Sequence, residues 1–341
     1  MKRLSDLTSE EMALDLGIPA FQGKQLFRWI HQKKIFDFDA MSDLSKALRA
    51  RLQAEYVASD LTLVELEQSE RTGTKKALLQ LRDGETVESV LIRDGERVTL
   101  CLSSQVGCAL KCDFCATGLA GFTRNLSPGE IVEQALYLLR DEHMGDRTPN
   151  VVYMGMGEPF RNYDQVMKSI RLLMAPEGLH IGSRKITVST AGEVREIERF
   201  AEEDWQVRLS ISLHAANNDL RSKLVPLNRR FPVERLRAAA ADYIARSGRQ
   251  ITYEWTLLNG VNDSLSDAEE LVKFIGNTKA TVNLIPWNPV SGINHEPPTK
   301  QRCEAFKNLL LKRGITATLR QEKGQDINAA CGQLRRIHAV S

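Results

Sequence analysis

The feature that most constrains the fold is the alternation of strand-like and helix-like segments from about residue 97 onward. Each short apolar run is followed by a longer segment whose apolar residues recur at helical spacing. Six such units, with 315–319 as a possible extra strand, predict an α/β fold with a parallel sheet. A closed barrel needs eight units, so we expect an open, partial (β/α)6 barrel. The strands are predicted near 98–102, 151–154, 185–189, 207–213, 251–258 and 281–285.

Two regions with different patterns precede this part of the chain. Residues 1–57 show no strand-like alternation, and their apolar spacing predicts a small helical module. Residues 58–95 contain short β-type runs separated by Asp-Gly turn signals, which predict antiparallel strands. We therefore divide the chain into four segments. They are a helical module (1–57), a short antiparallel β region (58–95), the partial barrel (96–320) and a C-terminal loop (321–341).

Composition limits the cellular setting and the partners. Apolar residues make up 42% and charged residues 26% of the chain, and no apolar run approaches the length of a membrane span. The N-terminus lacks the apolar core of a signal peptide, so we expect a cytoplasmic protein with reduced thiols and no membrane partner. The net charge is only +2, but basic residues gather within 21–51. Such a cluster is typical of a solvated helix face or, alternatively, of a surface for a phosphate backbone.

Four of the six cysteines fall within Cys101–Cys115, and the last three form C-x3-C-x2-C. In a reducing compartment, clustered cysteines indicate metal binding or catalysis rather than a disulfide framework. Structural zinc takes four ligands, often from two C-x2-C pairs, and the second pair is missing here. Three thiolates can instead hold an iron–sulfur cluster that keeps one iron open. We therefore predict Cys108, Cys112 and Cys115 as ligands of a cluster rather than of zinc.

Several glycine-rich or polar motifs follow the predicted strands. In parallel α/β folds, functional side chains lie on the loops after the carboxyl ends of the strands. The cysteine cluster follows the first strand, and later strands are followed by further motifs. We expect these motifs to converge on one rim of the barrel. They lie at 155–159, 189–192, 212–214 and 286–289.

The motifs taken together resemble one family, the RlmN/Cfr family of radical S-adenosylmethionine (SAM) methyltransferases that modify adenosine. They read CDFCATG, GFTRNL, YMGMGEP, ITVST, SLHA, LIPWNPV and DINAACGQL, and FQGKQLFRWI in the helical module extends the resemblance over nearly the whole chain. The resemblance implies a radical-SAM barrel and a [4Fe-4S] cluster. It also implies two SAM molecules per turnover, one as methyl donor and one as radical source. The implied SAM contacts are Gly157, Glu158, Ser189, Ser212, Leu213, His214 and Asn288.

The resemblance also implies three residues that handle the methyl group. Cys331 would be methylated and would carry the methylene carbon to RNA. Glu88 would act as the proton acceptor for the modified adenine carbon. Cys101 would resolve the protein–RNA adduct through a transient disulfide with Cys331, which a dithiol reductant reopens. Cys303 has no counterpart in this scheme, and its helical spacing predicts a core position.

The implied substrates are an adenosine in the peptidyl transferase centre of 23S rRNA and the adenosine 3′ of the anticodon in tRNA. The RlmN branch methylates C2, whereas the Cfr-like branch methylates C8 of the same rRNA base and gives antibiotic resistance. Both branches use the same cysteines, so the motifs leave this choice open. An electron donor such as flavodoxin or ferredoxin is also implied. A non-catalytic RNA-binding protein with a structural metal is a further alternative, although such a site would need neither Cys101 nor Cys331.

Overall fold

The computed structural model describes residues 1–145, 147–320, 323–330 and 332–334. The strands are Lys2–Arg3 (β1), Tyr56–Val57 (β2), Thr62–Gln68 (β3), Lys75–Gln80 (β4), Thr86–Asp94 (β5), Arg97–Cys101 (β6), Gln105–Gly107 (β7), Phe122–Asn125 (β8), Asn150–Tyr153 (β9), Ile186–Thr190 (β10), Arg208–Ser212 (β11), Ile251–Leu257 (β12), Ala280–Pro286 (β13) and Thr316–Leu319 (β14). The helices are Ser9–Leu16 (α1), Ala20–Phe27 (α2), Lys46–Glu55 (α3), Ala116–Leu119 (α4), Pro128–Leu138 (α5), Tyr163–Met174 (α6), Val194–Phe200 (α7), Asn218–Leu224 (α8), Val233–Ser247 (α9), Leu265–Ile275 (α10) and Lys300–Lys312 (α11).

A single large sheet organises the fold. In the described residues it has ten strands, in the order β14-β13-β12-β11-β10-β9-β6-β5-β4-β3. Strands β6, β9, β10, β11, β12, β13 and β14 are parallel, whereas β3, β4, β5 and β6 pair antiparallel. The sheet ends at β3 and β14 without closing, which confirms the open, partial barrel. Strand β14, which follows the last helix α11, confirms the extra strand predicted at 315–319.

The antiparallel region is continuous with the barrel because β6 pairs with both β5 and β9. One face of this region is covered by α5, where the Ser89 hydroxyl donates to Gln134 at 2.7 Å. Successive side chains of a strand point to opposite faces. Glu88 and Val90 therefore lie on the other face of β5, together with Cys101, which is opposite Val90 in the register. That face carries the candidate site.

The N-terminal region is helical, but β1 and β2 form a short parallel pair that the sequence analysis missed. Strands of two residues are too short to show an alternating pattern. Arg3 on β1 forms an ion pair with Asp60, and it anchors this region to the barrel through a 2.7 Å hydrogen bond to the Ser127 hydroxyl at the start of α5. Its guanidinium also lies 3.7 Å from the fully buried carboxylate of Glu133 on α5. In the described part of the chain, no helix is both long and apolar enough to cross a membrane.

His31 is a buried polar residue within the N-terminal region. It lies in a π-helical turn, Arg28–Gln32, and its ring stacks on Phe27 at 4.0 Å. Neither ring nitrogen has a hydrogen-bond partner among the described residues. Burial lowers the pKa of His31 to about 3.

We expect the variant His31→Phe to lose part of the acid sensitivity of the fold. His31 stays neutral in the folded chain, but after unfolding it takes up a proton as the pH falls below its ordinary pKa of 6.5. Protonation of His31 in the unfolded chain therefore opposes folding below about pH 6.5, and about 2 kcal/mol of unfolding free energy is lost between pH 7 and pH 5. Urea denaturation at several pH values measures the slope. The variant of an exposed histidine, His143→Phe, should keep the wild-type slope, and an unchanged slope in His31→Phe would contradict the prediction.

Candidate active site

The cysteine loop follows the first parallel strand, as predicted. Cys108, Cys112 and Cys115 lie between β7 and α4, and all three line one cavity. Burial raises the pKa of Cys108 to about 12 and also raises the pKa of Cys112. These thiols therefore need a cationic partner in order to ionise, and a bound metal centre is such a partner.

The donor set can be tested against the two metal centres considered above. No group of three His, Cys, Asp or Glu side chains in the described residues is arranged to hold a metal ion. A single zinc ion would need each sulfur within about 2.3 Å of one centre. A [4Fe-4S] cluster is less demanding, because each thiolate binds a different iron. Three cysteines that face a shared cavity from one loop therefore suit a cluster with one open iron better than zinc.

The cavity lies between the cysteine loop and the carboxyl ends of the parallel strands. Its volume is about 160 Å³, and it is open to solvent on one side. The predicted SAM contacts that line it are Gly157, Glu158, Ser189, Ser212 and His214.

The loop after β9 carries Gly157 and Glu158. Gly157 has a φ of 102°, and a Cβ atom there would lie 2.6 Å from the Cβ of Gln105, so a side chain does not fit. The Glu158 carboxylate accepts the backbone N–H groups of Phe160 at 3.0 Å and Ala191 at 2.8 Å. Burial nevertheless raises the pKa of Glu158 to about 7. This side chain thus ties the loop after β9 to the loop after β10.

Strands β10 and β11 bring Ser189 and Ser212 together, with their hydroxyl oxygens 3.4 Å apart. His214 follows β11 with a φ of 59°. Its Nδ1 atom accepts the backbone N–H of Thr256 at 2.9 Å. Burial, with the nearby cation of Arg221, lowers the pKa of His214 to about 3. The ring is therefore neutral with its proton on Nε2, which can donate to an acceptor on a ligand.

Two predicted SAM contacts do not line the cavity. Leu213 is fully buried, and its backbone N–H donates to the Glu254 carbonyl at 3.0 Å. Asn288 is buried, and its Oδ1 atom accepts a 2.7 Å hydrogen bond from Gln325 in the C-terminal region. Leu213 therefore joins neighbouring strands, and Asn288 holds the C-terminal region. Contact of either residue with SAM stays a prediction.

A groove beside α4 contains Glu88. This residue is only 2% exposed, and its carboxylate lies 3.4 Å from the ammonium group of Lys76. Glu88 is thus a buried residue rather than an ordinary solvent-facing strand glutamate. Cys101, also buried, lies on the same face of the neighbouring strand. Glu88 and Cys101 are diagonal neighbours across the antiparallel pair of β5 and β6. Residues in such diagonal positions are about 7–8 Å apart.

Cys331, the predicted methyl carrier, lies outside the described residues. The residues after it, 332–334, are described. The Ala116 backbone N–H donates to the Gly332 carbonyl at 2.8 Å, which attaches this segment to α4. Gly332 lines the cavity of the cysteines, and Gln333 lines the groove of Glu88. Segment 332–334 therefore borders both the cavity of the cysteines and the groove of Glu88.

Comparisons with known proteins agree with this geometry. The radical SAM superfamily model matches residues 102–275, and the model for the ribosomal RNA large subunit methyltransferase N-terminal domain matches residues 3–57. A probable dual-specificity RNA methyltransferase RlmN from Thermotoga neapolitana is 46% identical over 100% of this chain and 99% of its own. Another of that name, from Caldanaerobacter subterraneus, is 45% identical over 98% of each chain. This chain belongs to the RlmN/Cfr family.

A solved structure supports the same assignment. The crystal structure of a radical SAM methyltransferase from Sphaerobacter thermophilus is 45% identical, with a TM-score of 0.95 over 98% of this chain and 99% of that chain. The chain is thus a radical SAM methyltransferase with the fold of its family. Members of this superfamily use a [4Fe-4S] cluster and SAM. The three thiols of the cysteine loop suit the cluster, and they share their cavity with five of the predicted SAM contacts.

Several further residues that line the cavity were not among the predicted cluster ligands and SAM contacts. Phe114 packs edge-on against His214 with ring centroids 4.7 Å apart, and Trp287 Nε1 donates to the Phe114 carbonyl at 3.0 Å. Glu254 lies in β12, is 5% exposed and also lines the cavity. Glu254 could have been predicted from the sequence, because it is the one charged residue in strand β12. The aromatic residues had no such signal, because an aromatic side chain in a motif is equally typical of core packing.

We expect Glu158→Gln to destabilise the loops around the cavity. Both carboxylate oxygens accept backbone N–H groups, and an amide would place its own NH2 against one of these donors. The free energy of unfolding should fall by about 1–3 kcal/mol at pH 8, where the wild-type carboxylate is ionised. Chemical denaturation measures this difference. Glu198→Gln, at an exposed position of α7, should match wild type, whereas equal stability of all three proteins would refute the structural role of Glu158.

Proposed function

We propose that this chain methylates C2 of adenosine in RNA by radical SAM chemistry. The proposed targets are an adenosine in the peptidyl transferase centre of 23S rRNA and the adenosine 3′ of the anticodon in tRNA. Relatives that are 45–46% identical over nearly their whole length are named dual-specificity RNA methyltransferases, which supports RNA as the substrate. The structural observation that supports the proposal most is that segment 332–334 borders both the cysteine cavity and the Glu88 groove.

The target carbon explains why such a site needs a methyl carrier. C2 of adenine is electron-poor and has no lone pair, so it cannot attack the sulfonium methyl group of SAM directly. A cysteine thiolate is a strong nucleophile and can do so. Cys331 would take the methyl group from a first SAM, which leaves as S-adenosylhomocysteine. Support comes from the hydrogen bond between the Thr117 hydroxyl and the Leu334 carbonyl, 2.5 Å long, which holds the following residues beside the cavity.

The cavity residues would activate this methyl group. Cys108, Cys112 and Cys115 would hold the cluster, which when bound supplies the electron that cleaves a second SAM to methionine and a 5′-deoxyadenosyl radical. The methyl group on Cys331 would lose a hydrogen atom to that radical and bond to the adenine carbon. The side chains proposed to orient SAM are those of Glu158, Ser189, Ser212 and His214, with Gly157 leaving room for it and Leu213 and Asn288 as further contacts.

Glu88 and Cys101 would complete the reaction. Glu88 would accept the proton from the modified carbon, and the unpaired electron left on the adduct would return to the oxidised cluster. The Cys101 thiolate would attack the sulfur of Cys331, forming a disulfide and breaking the sulfur–carbon bond. The released carbon would take up a proton and become the methyl group of the RNA. A dithiol reductant would then restore both thiols. The common face of Glu88 and Cys101, with the Glu88 groove bordered by Gln333, supports these roles.

The proposal also includes partners. A one-electron donor such as flavodoxin or ferredoxin would reduce the cluster, and the reaction would take place in the cytoplasm. The target adenine must leave its stack before C2 can reach the site, as for other enzymes that modify bases. Contact of residues 1–57 with the RNA backbone stays a prediction.

Nucleoside analysis tests the reaction and its position. We expect 2-methyladenosine in 23S rRNA and in tRNA when this chain is expressed in a host that lacks such methylation. Mass spectrometry of digested rRNA and tRNA distinguishes it from 8-methyladenosine by comparison with standards. The variant Cys108→Ser, which removes one cluster ligand, is the negative control. Finding 8-methyladenosine instead would establish the Cfr-like alternative, and finding no modified adenosine would refute both.

We expect Cys101→Ala to trap a covalent protein–RNA adduct. Without the resolving thiol, the bond between Cys331 and the methylene carbon should persist after C2 is modified. Denaturing gel electrophoresis with labelled RNA detects the adduct, and nuclease treatment should remove the shift. Cys303→Ala, at a buried position on α11, is the matched control and should give no adduct. Normal turnover by Cys101→Ala with free product would exclude the thiol-exchange step.

A further inference from the structure

Arg221 is a buried cation next to the proposed cluster site. It lies on α8 and is 0% exposed. Its guanidinium donates to the carbonyls of Ala191 at 2.6 Å, Ser212 at 3.2 Å and Leu213 at 3.1 Å, and to the Asn228 side-chain oxygen at 3.1 Å. All these acceptors are neutral. Among the described residues, no carboxylate forms an ion pair with it.

Burial of a charge without a counter-charge is unfavourable, because hydrogen bonds to neutral groups replace only part of its hydration. The helix that carries Arg221 contacts the cysteine loop, because the Leu224 carbonyl of α8 accepts the backbone N–H of Asp113, the residue directly after Cys112, at 3.3 Å. Ala191 and Ser212, whose carbonyls bind the guanidinium, line the same cavity as Cys112. If the side chain at position 221 served only to donate hydrogen bonds to carbonyl groups, an uncharged donor would be sufficient. The charge of Arg221 therefore points to an anion on the Cys112 side of the cavity.

We infer that Arg221 is the built-in counter-charge of the iron–sulfur cluster and that it raises the reduction potential of that cluster through Cys112. The inference rests on the cluster proposed above. A [4Fe-4S] core of charge +2 with three thiolates carries a net charge of −1. Reduction adds one electron and makes it −2. A nearby cation stabilises the more negative state more strongly, so it favours reduction.

A purely structural role must be separated from this electrostatic one. Arg221 joins the loops after β10 and β11, which carry proposed SAM contacts, so its removal also disturbs their hydrogen bonds. Arg221→Lys keeps the positive charge but loses the planar fork of donors. Arg221→Gln loses the charge but keeps an amide donor. Asn228→Asp keeps Arg221 and its hydrogen bond while placing a negative charge against it.

The test is the midpoint potential of the reconstituted cluster. Each protein is loaded anaerobically with iron and sulfide, the bound iron and sulfide are counted, and the cluster is titrated with dithionite while the reduced form is followed by electron paramagnetic resonance. We expect about a tenfold less favourable reduction in Arg221→Gln and in Asn228→Asp, which is roughly 59 mV toward more negative potential. Arg221→Lys and the exposed control Arg229→Gln should stay close to wild type.

The outcomes distinguish the inference from the proposed function. Equal shifts in the Lys and Gln variants would show that the hydrogen bonds matter and the charge does not, and would overturn the inference. Midpoint potentials equal to wild type in both Arg221→Gln and Asn228→Asp would also overturn the inference. If Arg221→Gln does not fold, the midpoint potential of Asn228→Asp tests the inference on its own. A wild-type protein that binds no iron or sulfide would instead refute the proposed cluster.

Discussion

The parallel register of the barrel strands is the constraint on which the site depends. Hydrogen bonding between neighbours fixes which residues stand side by side, so Ser212 of β11 lies opposite Glu254 of β12, and Glu254 lies opposite Asn283 of β13. Because all these strands run in one direction, the loops that follow them emerge at the same edge. Residues separated by more than a hundred positions, such as Cys108 and His214, thereby line one cavity. A change of register by one residue would turn these side chains to the opposite face.

The cavity has an unusual electrostatic character, since burial disfavours the charged form of most of its titratable groups. The pKa values of Cys108 and Glu158 are raised and that of His214 is lowered for this one reason. Burial also lowers the pKa of Arg221, which lies behind the cavity lining, but only to about 10, so this side chain stays cationic at neutral pH. A bound anionic centre would relieve the imbalance by pairing with this cation.

The junction between the two kinds of strand pairing brings the remaining groups to the same region. Strand β6 pairs antiparallel with β5 and parallel with β9, so Cys101 at its end lies between Glu88 and the barrel. The C-terminal segment then passes along α4, where Gly332 accepts a hydrogen bond from Ala116, the residue directly after Cys115. The cysteine motif therefore also fixes the course of the segment that follows residue 331.

The sequence by itself determined the order of strands and helices, the open barrel and the position of the cysteine loop, because these depend on local periodicity and on spacing. Local pattern did not reveal β1 and β2, which are too short to alternate, or the burial of Glu88, which depends on what packs over β5. Arg221 gave no signal either, since a lone arginine on a polar helix is usually solvated. Only the tertiary structure showed that its cation is buried, on a helix that contacts the cysteine loop. Burial and charge pairing are properties of distant segments brought together, and a local sequence pattern does not contain them.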